Sequence, residues 1–397
     1  MLFRSHVSSE FKRYLVFSFN ADLILPIYSI FLPLLAYTLR ANVFEIGLVG
    51  GAANAVYCFM PFFMGRFSDR RSVRKFFVAS SFVVLSVVSV SYIFVLNPIT
   101  LIVARVFEGI GWAMLWPAVE AVVRDSGSDA KKALSVFNLT WSGAAAIGPL
   151  VGSALIFLTT IRDMFIVTSA IMIATLVLNL VSLLMKREDP VMIAPTPQPI
   201  EMVLLRDPKN RFGTAFFLSS MTLAAISTGV LYTFLPAYAK SIDISVLLVG
   251  VATFMFGFAR FLAYVLTVRE KFRSILLARE NRAKNVVISL VVLSLSSLLV
   301  LIHNTSGIIY VVAYGIAGAS YSVVYAVSQT VMIAEAHPEK VGRSAGMFES
   351  SIGVGQSLGP IVGGAISNGS LSTPFIFPSV SLVVFLLALP AITRKRG

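Results

Sequence analysis

The chain has 397 residues, of which 57% are hydrophobic and 13% are charged, and its formal net charge is +13 at pH 7. Soluble domains hold about twice that share of charged residues, so the composition excludes an ordinary soluble domain. The basic residues are spread over many loops and do not form one patch, which argues against binding to nucleic acid.

Apolar runs of about 20 residues, the length of helix that crosses a bilayer, recur along the whole chain. Continuous apolar runs indicate helices, because the strands of a membrane β-barrel alternate apolar and polar residues. The predicted spans lie at roughly 15–38, 44–64, 76–96, 98–122, 136–159, 161–185, 212–237, 245–267, 285–303, 307–333, 343–367 and 373–393. We therefore predict an all-α membrane protein with twelve transmembrane helices.

Lys and Arg are concentrated in alternate loops. Of the 32 basic residues, 27 lie at the termini and in the even-numbered loops, three lie in odd-numbered loops and two lie inside spans. The positive-inside rule then predicts a multi-pass protein of the cell membrane with both termini in the cytoplasm. A Pro-rich stretch separates the sixth and seventh spans. We expect a six-helix bundle in 1–185, a cytoplasmic linker in 186–211 and a second bundle in 212–397.

The two halves of the sequence repeat each other. The fifth-span stretch 148–152 (Gly-Pro-Leu-Val-Gly) recurs in the eleventh span at 359–363 (Gly-Pro-Ile-Val-Gly), an offset of 211 residues. In the fourth span, the Arg, Gly and two Trp residues within 105–116 align with Tyr, Gly and two Tyr residues within 314–325, an offset of 209. Parallel repeats of this kind are typical of transporters that bind their substrate between two halves.

The loop between the second and third spans is short and strongly basic. Its eleven residues, 65–75, include five Arg or Lys and one Asp. The loop resembles the signature loop of the major facilitator superfamily, in which a Gly is followed by Asp-Arg and then by paired basic residues. The matching positions are Gly65, Asp69, Arg70, Arg74 and Lys75, and Ser72 stands where the family has a second Gly. The resemblance extends over essentially the whole chain.

The resemblance implies the fold of that superfamily, two pseudo-symmetric six-helix bundles that rock against each other around a central site. It also implies that the basic loop forms a charge lock favouring the outward-open state. Asp69 would dock on the N-terminal dipole of the eleventh span, and Arg74 would meet Asp125 at the end of the fourth. The alternative is that the loop only sets the membrane topology.

The Gly-Pro elements resemble a fifth-span motif of the superfamily's proton-driven exporters, and on that resemblance we expect export. In the fifth span the match rests on Gly148, Pro149 and Gly152, with Gly143 one place early and Ser153 in place of the last Gly. The eleventh-span version is complete, with Gly355, Gly359, Pro360, Gly363 and Gly364. These residues would allow close helix packing and bend the helices, and packing alone is the alternative.

Charged residues inside spans are the candidates for proton coupling, because an unpaired charge in lipid costs at least about 2.5 kcal/mol. Arg105 and Glu108 resemble the superfamily's fourth-span motif, which is tied to proton transfer, although the two could simply neutralise each other. Asp22 resembles the first-span acids of multidrug exporters. Glu349 is either a second acid in the same cavity or a partner of Arg260.

Aromatic residues follow the fourth and tenth spans at helical spacing. Trp112 and Trp116 share a face with Glu108, and their repeat counterparts are Tyr321 and Tyr325. An aromatic wall beside a carboxylate suits lipophilic cations through apolar contact and cation–π attraction. Plain packing of the aromatic side chains is the alternative. Glu120, near the end of the fourth span, is expected at the interface or at a gate.

Taken together, these features predict a secondary transporter of the drug:proton antiporter branch, which exports amphipathic or drug-like small molecules by alternating access. A symporter or uniporter for a sugar, organic acid or other small metabolite is the alternative. An enzyme is disfavoured, since the sequence has no metal-ligand spacing, activated nucleophile or ATP-binding Gly-rich loop. The expected partners are a small-molecule substrate, protons as coupling ion and the lipid bilayer, with no cofactor and a monomeric protein.

Overall fold

The computed structural model describes residues 9–68, 74–125, 130–184, 208–302, 307–337 and 340–393, and every regular element within these ranges is a helix. The first bundle consists of α1 (Ser9–Thr38), α2 (Val43–Tyr57), α3 (Met60–Ser68), α4 (Arg74–Ser91), α5 (Pro98–Asp125), α6 (Ala130–Leu158) and α7 (Ile161–Leu184). The second bundle consists of α8 (Pro208–Ser241), α9 (Val246–Val268), α10 (Glu270–Leu276), α11 (Arg282–Leu299), α12 (Ile308–Gln329), α13 (Val341–Ala365) and α14 (Phe377–Thr393).

A helix occupies each of the twelve predicted spans. Ten helical segments of the described chain are long and apolar enough to cross a membrane. The other two spans are α13, a 25-residue helix rich in Gly and Ser, and the shorter apolar segment Thr373–Leu389, which includes most of α14. A single turn of π-helix, Thr330–Ala334, extends α12. The short helix α10 lies between the eighth and ninth spans.

The second span differs from its prediction, because it is two helices and not one. α2 ends at Tyr57 and α3 begins at Met60, with a turn at Cys58 and Phe59 between them. Pro61 is the physical reason. It has no backbone N–H, and its ring would clash with the carbonyl group of Tyr57 in a continuous helix.

The two bundles are packed closely against each other through small residues. α6 of the first bundle contacts α9 of the second, and α2 and α3 contact α13. A Cβ atom on Gly257 would collide with Ala146, and one on Gly353 would collide with the backbone of Tyr57. Small side chains therefore let the helix backbones approach closely along this interface.

The sequence repeat corresponds to equivalent packing in the two bundles. Gly109 of α5 faces the carbonyl oxygen of Ala53 on α2, and Gly318 of α12 faces the carbonyl oxygen of Phe256 on α9. Glycine is required at both positions because a Cβ atom would overlap the neighbouring backbone. The predicted linker, 186–211, lies outside the described residues except for 208–211, so the domain boundaries stay a prediction.

Candidate functional site

A cavity of about 140 Å³ lies between the two bundles. Its walls come from α1, α2, α5 and α6 of the first bundle and from α8, α9, α12 and α13 of the second. All eight side chains predicted for the proton and substrate site line this cavity: Asp22, Arg105, Glu108, Trp112, Trp116, Tyr321, Tyr325 and Glu349. The structure therefore brings them together, while their roles stay predictions.

Arg105 and Glu108 form a buried ion pair that makes further hydrogen bonds with its surroundings. Arg105 Nη1 lies 2.6 Å from Glu108 Oε1, and Arg105 Nε donates to the carbonyl oxygen of Val49 at 3.0 Å. Glu108 also accepts hydrogen bonds from Trp112 Nε1, at 2.8 Å, and from the hydroxyl of Tyr92. Arg105 is 2% exposed and Glu108 is 0% exposed, so the two opposite charges neutralise each other inside the protein. A role for this pair in proton transfer stays a prediction.

Asp22 is a buried acid without an ion pair in the part of the chain that the structure describes. It lies on α1 with 5% of its surface exposed. Its Oδ2 accepts a hydrogen bond from Ser18 Oγ, one helical turn earlier, at 3.2 Å. One neutral donor compensates only part of the cost of burying a carboxylate. A proton or a cationic ligand would compensate the rest.

Arg260 is a buried cation without an acceptor among the described residues. Its guanidinium carbon lies 4.3 Å from the ring centroid of Trp141 and 5.4 Å from that of Phe256. Its Nε has no hydrogen-bond partner, and no salt bridge joins it to Glu349. The first alternative for Glu349, an ion pair with Arg260, is therefore absent among the described residues. The other alternative agrees with the structure, because Glu349 lines the cavity as a second acid beside Asp22.

Glu120 and Glu349 meet across the boundary between the bundles. Glu120 Oε1 accepts hydrogen bonds from Gln329 Nε2, at 2.9 Å, and from Tyr325 Oη, at 3.4 Å. Glu349 Oε2 accepts one from Tyr57 Oη at 2.6 Å. The two carboxyl groups lie within hydrogen-bonding reach of each other. Glu120 is 1% exposed and lines the cavity, so of its two predicted positions the interfacial one is wrong, and the one at a gate stays a prediction.

The spacing of residues along α5 indicates that Glu120 lines the cavity. The prediction of an interfacial position did not use this spacing. Glu120 follows Trp116 by four residues and Trp112 by eight, so all three share one face of α5. The two Trp rings stack 6.0 Å apart at an angle of 8°. A carboxylate in register with two cavity aromatics belongs to the cavity.

The aromatic side chains form two walls around these acids. Trp112 and Trp116 belong to the first bundle, while Tyr321 and Tyr325, whose ring centroids are 5.9 Å apart, belong to the second. Trp141 was not among the predicted site residues, and its ring lies 5.3 Å from that of Tyr325. Aromatic faces on opposite sides could enclose a flat apolar ligand.

One end of the two bundles, which we call the basic end, holds Arg74, Asp125 and Glu335. Arg74 Nη1 donates to Asp125 Oδ2 at 3.1 Å, the contact that the sequence predicted. Both residues belong to the first bundle, so this pair does not itself join the bundles. Arg124 does so, since it pairs with Asp125 at 2.9 Å and donates to the carbonyl oxygen of Ala336 at 3.0 Å.

The other predicted lock residues are only partly described. Asp69 and Arg70 lie outside the described residues, so the docking of Asp69 on α13 stays a prediction. Gly65 lies within α3, and Lys75 is exposed near the start of α4. In the second bundle, Arg282 Nη2 lies 2.8 Å from Glu335 Oε1, a counterpart of the Arg74–Asp125 pair at the same end.

The predicted Gly-Pro residues lie where helices touch. In α6, Gly148 faces the carbonyl oxygen of Leu23 on α1, and in α13, Gly359 faces that of Ile226 on α8. The other positions in the two elements are Pro149, Gly152, Gly355, Pro360, Gly363 and Gly364, all within α6 or α13. The structure thus gives these glycines a packing role, and bending of the helices and a link to export stay predictions.

In the described residues, no group of three or more His, Cys, Asp or Glu side chains is placed to hold a metal ion. The cavity offers carboxyl, guanidinium, phenol and indole groups. They can bind protons and small polar or amphipathic molecules.

Comparisons with known proteins place these observations in a family. The family model described as Major Facilitator Superfamily matches residues 14–279 and 272–396. An uncharacterized MFS-type transporter of Methanocaldococcus jannaschii is 21% identical over 342 residues, which cover 84% of each chain. Both findings cover most of the chain.

Two solved structures of the nucleoside transporter NupG, one of a single-residue mutant, have similar folds. The mutant has a TM-score of 0.72 and is 17% identical, covering 97% of this chain and 100% of that chain. The other has a TM-score of 0.67 at 17% identity, covering 98% of this chain and 100% of that chain. This likeness concerns the fold alone, and it agrees with the predicted arrangement of two six-helix bundles.

Proposed function

The chain belongs to the major facilitator superfamily, and on that premise we propose that it is a proton-coupled exporter of amphipathic or drug-like small molecules. Membership makes it a secondary transporter embedded in a membrane, and not an enzyme. The finer proposal concerns the coupling ion, the substrate class and the direction of transport.

A surplus of buried acid in the cavity carries this proposal. Asp22, Glu120 and Glu349 have no Lys or Arg within 4.0 Å in the described part of the chain. Against these three acids stands one unpaired guanidinium, that of Arg260. An uncompensated negative charge in a buried cavity is costly. Either a proton or a cationic substrate can remove that cost, so the two compete for one site, which is the requirement for antiport.

The walls of the cavity support the substrate class. Trp112, Trp116, Trp141 and Tyr321 present aromatic faces beside the acids. Such faces bind apolar bodies and attract organic cations through their π-systems. An amphipathic cation fits both features. The positive-inside rule supports placing the basic end in the cytoplasm, and protons that enter the cell through such an antiporter would drive the substrate out.

The proposal is tested with purified protein in proteoliposomes under an imposed pH gradient, with ethidium as a lipophilic cationic dye. We expect the wild type to move the dye against the proton flux. Asp22→Asn and Glu349→Gln should each lower gradient-driven transport at least tenfold. No dye movement by correctly folded wild type would overturn the cationic substrate class.

Asp243→Asn is the matched control for this experiment. It makes the same chemical change as Asp22→Asn, at an exposed position. Its backbone φ is 58°, a left-handed conformation that Asn also adopts. Transport by this variant should equal that of the wild type. An equal loss in both variants would show that the Asp22 result is unspecific.

A second candidate, symport of an organic acid or another polar metabolite, is favoured by Arg260. A buried guanidinium without an acceptor is suited to a carboxylate, which it can bind through two parallel hydrogen bonds. Asn54 and Gln356 also line the cavity and add neutral polar groups. In the same vesicles, uptake of labelled organic acids, sugars and nucleosides would be measured. Proton-driven uptake that is lost in Arg260→Met would favour this candidate.

A further inference from the structure

Glu120 and Glu349 each have a repeat counterpart with an amide side chain. The offset of 209 residues between α5 and α12 matches Glu120 with Gln329, and the offset of 211 between α6 and α13 matches Glu349 with Asn138. The four side chains thus form two symmetry-related pairs. The carboxyl pair, Glu120 and Glu349, joins the fourth span (α5) to the eleventh (α13). The amide pair, Gln329 and Asn138, joins the tenth span (α12) to the fifth (α6).

The amide pair is joined by a direct hydrogen bond across the two bundles. Asn138 Nδ2 donates to Gln329 Oε1 at 2.7 Å. Both side chains are buried, at 3% and 1% exposure, and Asn138 Oδ1 accepts from Trp141 Nε1 at 2.9 Å. An amide carries both a donor and an acceptor, so this bond needs no additional atom.

The carboxyl pair occupies the symmetry-related position but lacks a donor. Two ionised carboxylates have acceptors only, and they repel each other at contact distance. Glu120 Oε2 is buried and receives no hydrogen bond from any described donor. A proton between the two carboxyl groups would supply the missing donor and reproduce the bond that the amides make.

The described side chains that donate hydrogen bonds to the two acids are all neutral, so none of them replaces this proton. Glu120 faces Gln329 and Tyr325 of α12, and Glu349 faces Tyr57 of α2. Among the described residues, neither acid has a Lys or Arg partner within 4.0 Å. The other charged residues that line the same cavity are Asp22 of α1, Arg105 and Glu108 of α5, which pair with each other, and Arg260 of α9.

We propose that Glu120 and Glu349 share one proton, and that this proton joins the two bundles while the basic end is closed. The inference rests on the proposed proton coupling and names its site. When the bundles separate at the basic end, the two acids part, water reaches them, and the proton is released on that side. Binding of a proton restores the bond and favours closure. The proton site and the gate are then one structure.

Distances between spin labels at the basic end test this inference. Labels are attached to Phe76→Cys in α4 and Lys284→Cys in α11, which are exposed positions in different bundles. The chain's single cysteine, Cys58, is first replaced by Ser. We expect the wild-type distance to lengthen as the pH rises, because the shared proton is lost and the two carboxylates repel. A distance that is independent of pH would overturn the proposal.

Glutamine variants identify the dyad as the source of the shift. Glu120→Gln and Glu349→Gln each supply a permanent N–H donor, so each should keep the short distance at every pH. Glu280→Gln, an exposed site in the loop before α11, is the control and should keep the wild-type shift. A full wild-type shift in both dyad variants would overturn the proposal.

Infrared spectroscopy gives a second readout that does not depend on opening. The measurement uses the Asp22→Asn background, which removes the other proposed proton-binding acid of the cavity. There the pH-difference spectrum should contain the carbonyl stretch of a protonated carboxyl group, and adding either single Gln substitution should remove this band. Its persistence in both variants would overturn the shared proton. If ethidium is not transported but the dyad variants lose their pH response, the dyad stands and the proposed substrate class fails.

Discussion

α5 of the first bundle and α12 of the second occupy equivalent places, yet they differ sharply in chemistry. Gly109 and Gly318 make the same close approach to a neighbouring helix. One turn before them, α5 has Arg105, which donates to the carbonyl oxygen of Val49 at 3.0 Å. α12 has Tyr314 there, and its hydroxyl donates to the carbonyl oxygen of Leu231 at 2.6 Å. The packing contacts are repeated, and the buried ion pair is not.

The difference shows which features the architecture itself requires. Helices that cross at the same distance need small residues in both bundles, whatever the protein transports. A buried Arg–Glu pair has no such necessity, because the equivalent positions in α12 hold the uncharged residues Tyr314 and Ala317. The buried ion pair of the first bundle is therefore a better candidate for function than the packing glycines. In α12 the equivalent position is filled without charged side chains.

The largest expected effect comes from breaking the ion pair in α5. Arg105→Met should lower the free energy of unfolding by about 3–5 kcal/mol, because Glu108 is left as a buried charge without its counter-ion. The measurement is the unfolding of detergent-solubilised protein on titration with a denaturing detergent. Arg105→Met combined with Glu108→Met should recover much of this loss. A double variant no more stable than the single one would contradict the account.

The next effect concerns the close approaches that both bundles share. Gly148→Ala and Gly359→Ala should each destabilise the protein by about 1–3 kcal/mol, because the new Cβ atom would meet a backbone oxygen of the facing helix. Gly213→Ala is the control, since nothing lies within 4 Å of its added Cβ. The control should be neutral or slightly stabilising in the same unfolding assay. Equal losses at all three positions would refute the packing explanation.

The helices, the repeat and the cavity residues could be predicted because they depend on local signals. Apolar length and loop charge mark the spans, and the cost of a charge in lipid singles out Asp22, Arg105 and Glu349. The break in the second span was not predicted, although Pro61 could have indicated it. The contact of Glu120 with Glu349 depends on how two bundles face each other, and no local pattern in a single span contains that information.

The ion pairs at the basic end extend the comparison, because here the charges are repeated. Asp125→Asn and Glu335→Gln should each lower the free energy of unfolding by about 1–2 kcal/mol. This value lies between the effect of breaking an exposed ion pair and that of breaking a fully buried one. Their partner side chains, Arg74 and Arg282, are 6% and 9% exposed. The two losses are measured by the same unfolding titration, and that of Asp125→Asn should be the larger, because Asp125 also pairs with Arg124. A loss in only one variant would show that the two pairs are not equivalent.

The smallest expected effect comes from removing the hydroxyl group of Tyr314, the residue of α12 that corresponds to Arg105 of α5. Tyr314→Phe should cost about 1 kcal/mol, the typical net value of a neutral hydrogen bond. The carbonyl group of Leu231 lies within a helix and can keep its intrahelical bond, so little polar surface is left unsatisfied. Because Tyr314 does not line the cavity, ethidium transport should stay at the wild-type rate. A loss of transport as large as that of Asp22→Asn would mean that the uncharged helix also takes part in coupling, and the asymmetry between α5 and α12 would then not separate function from scaffold.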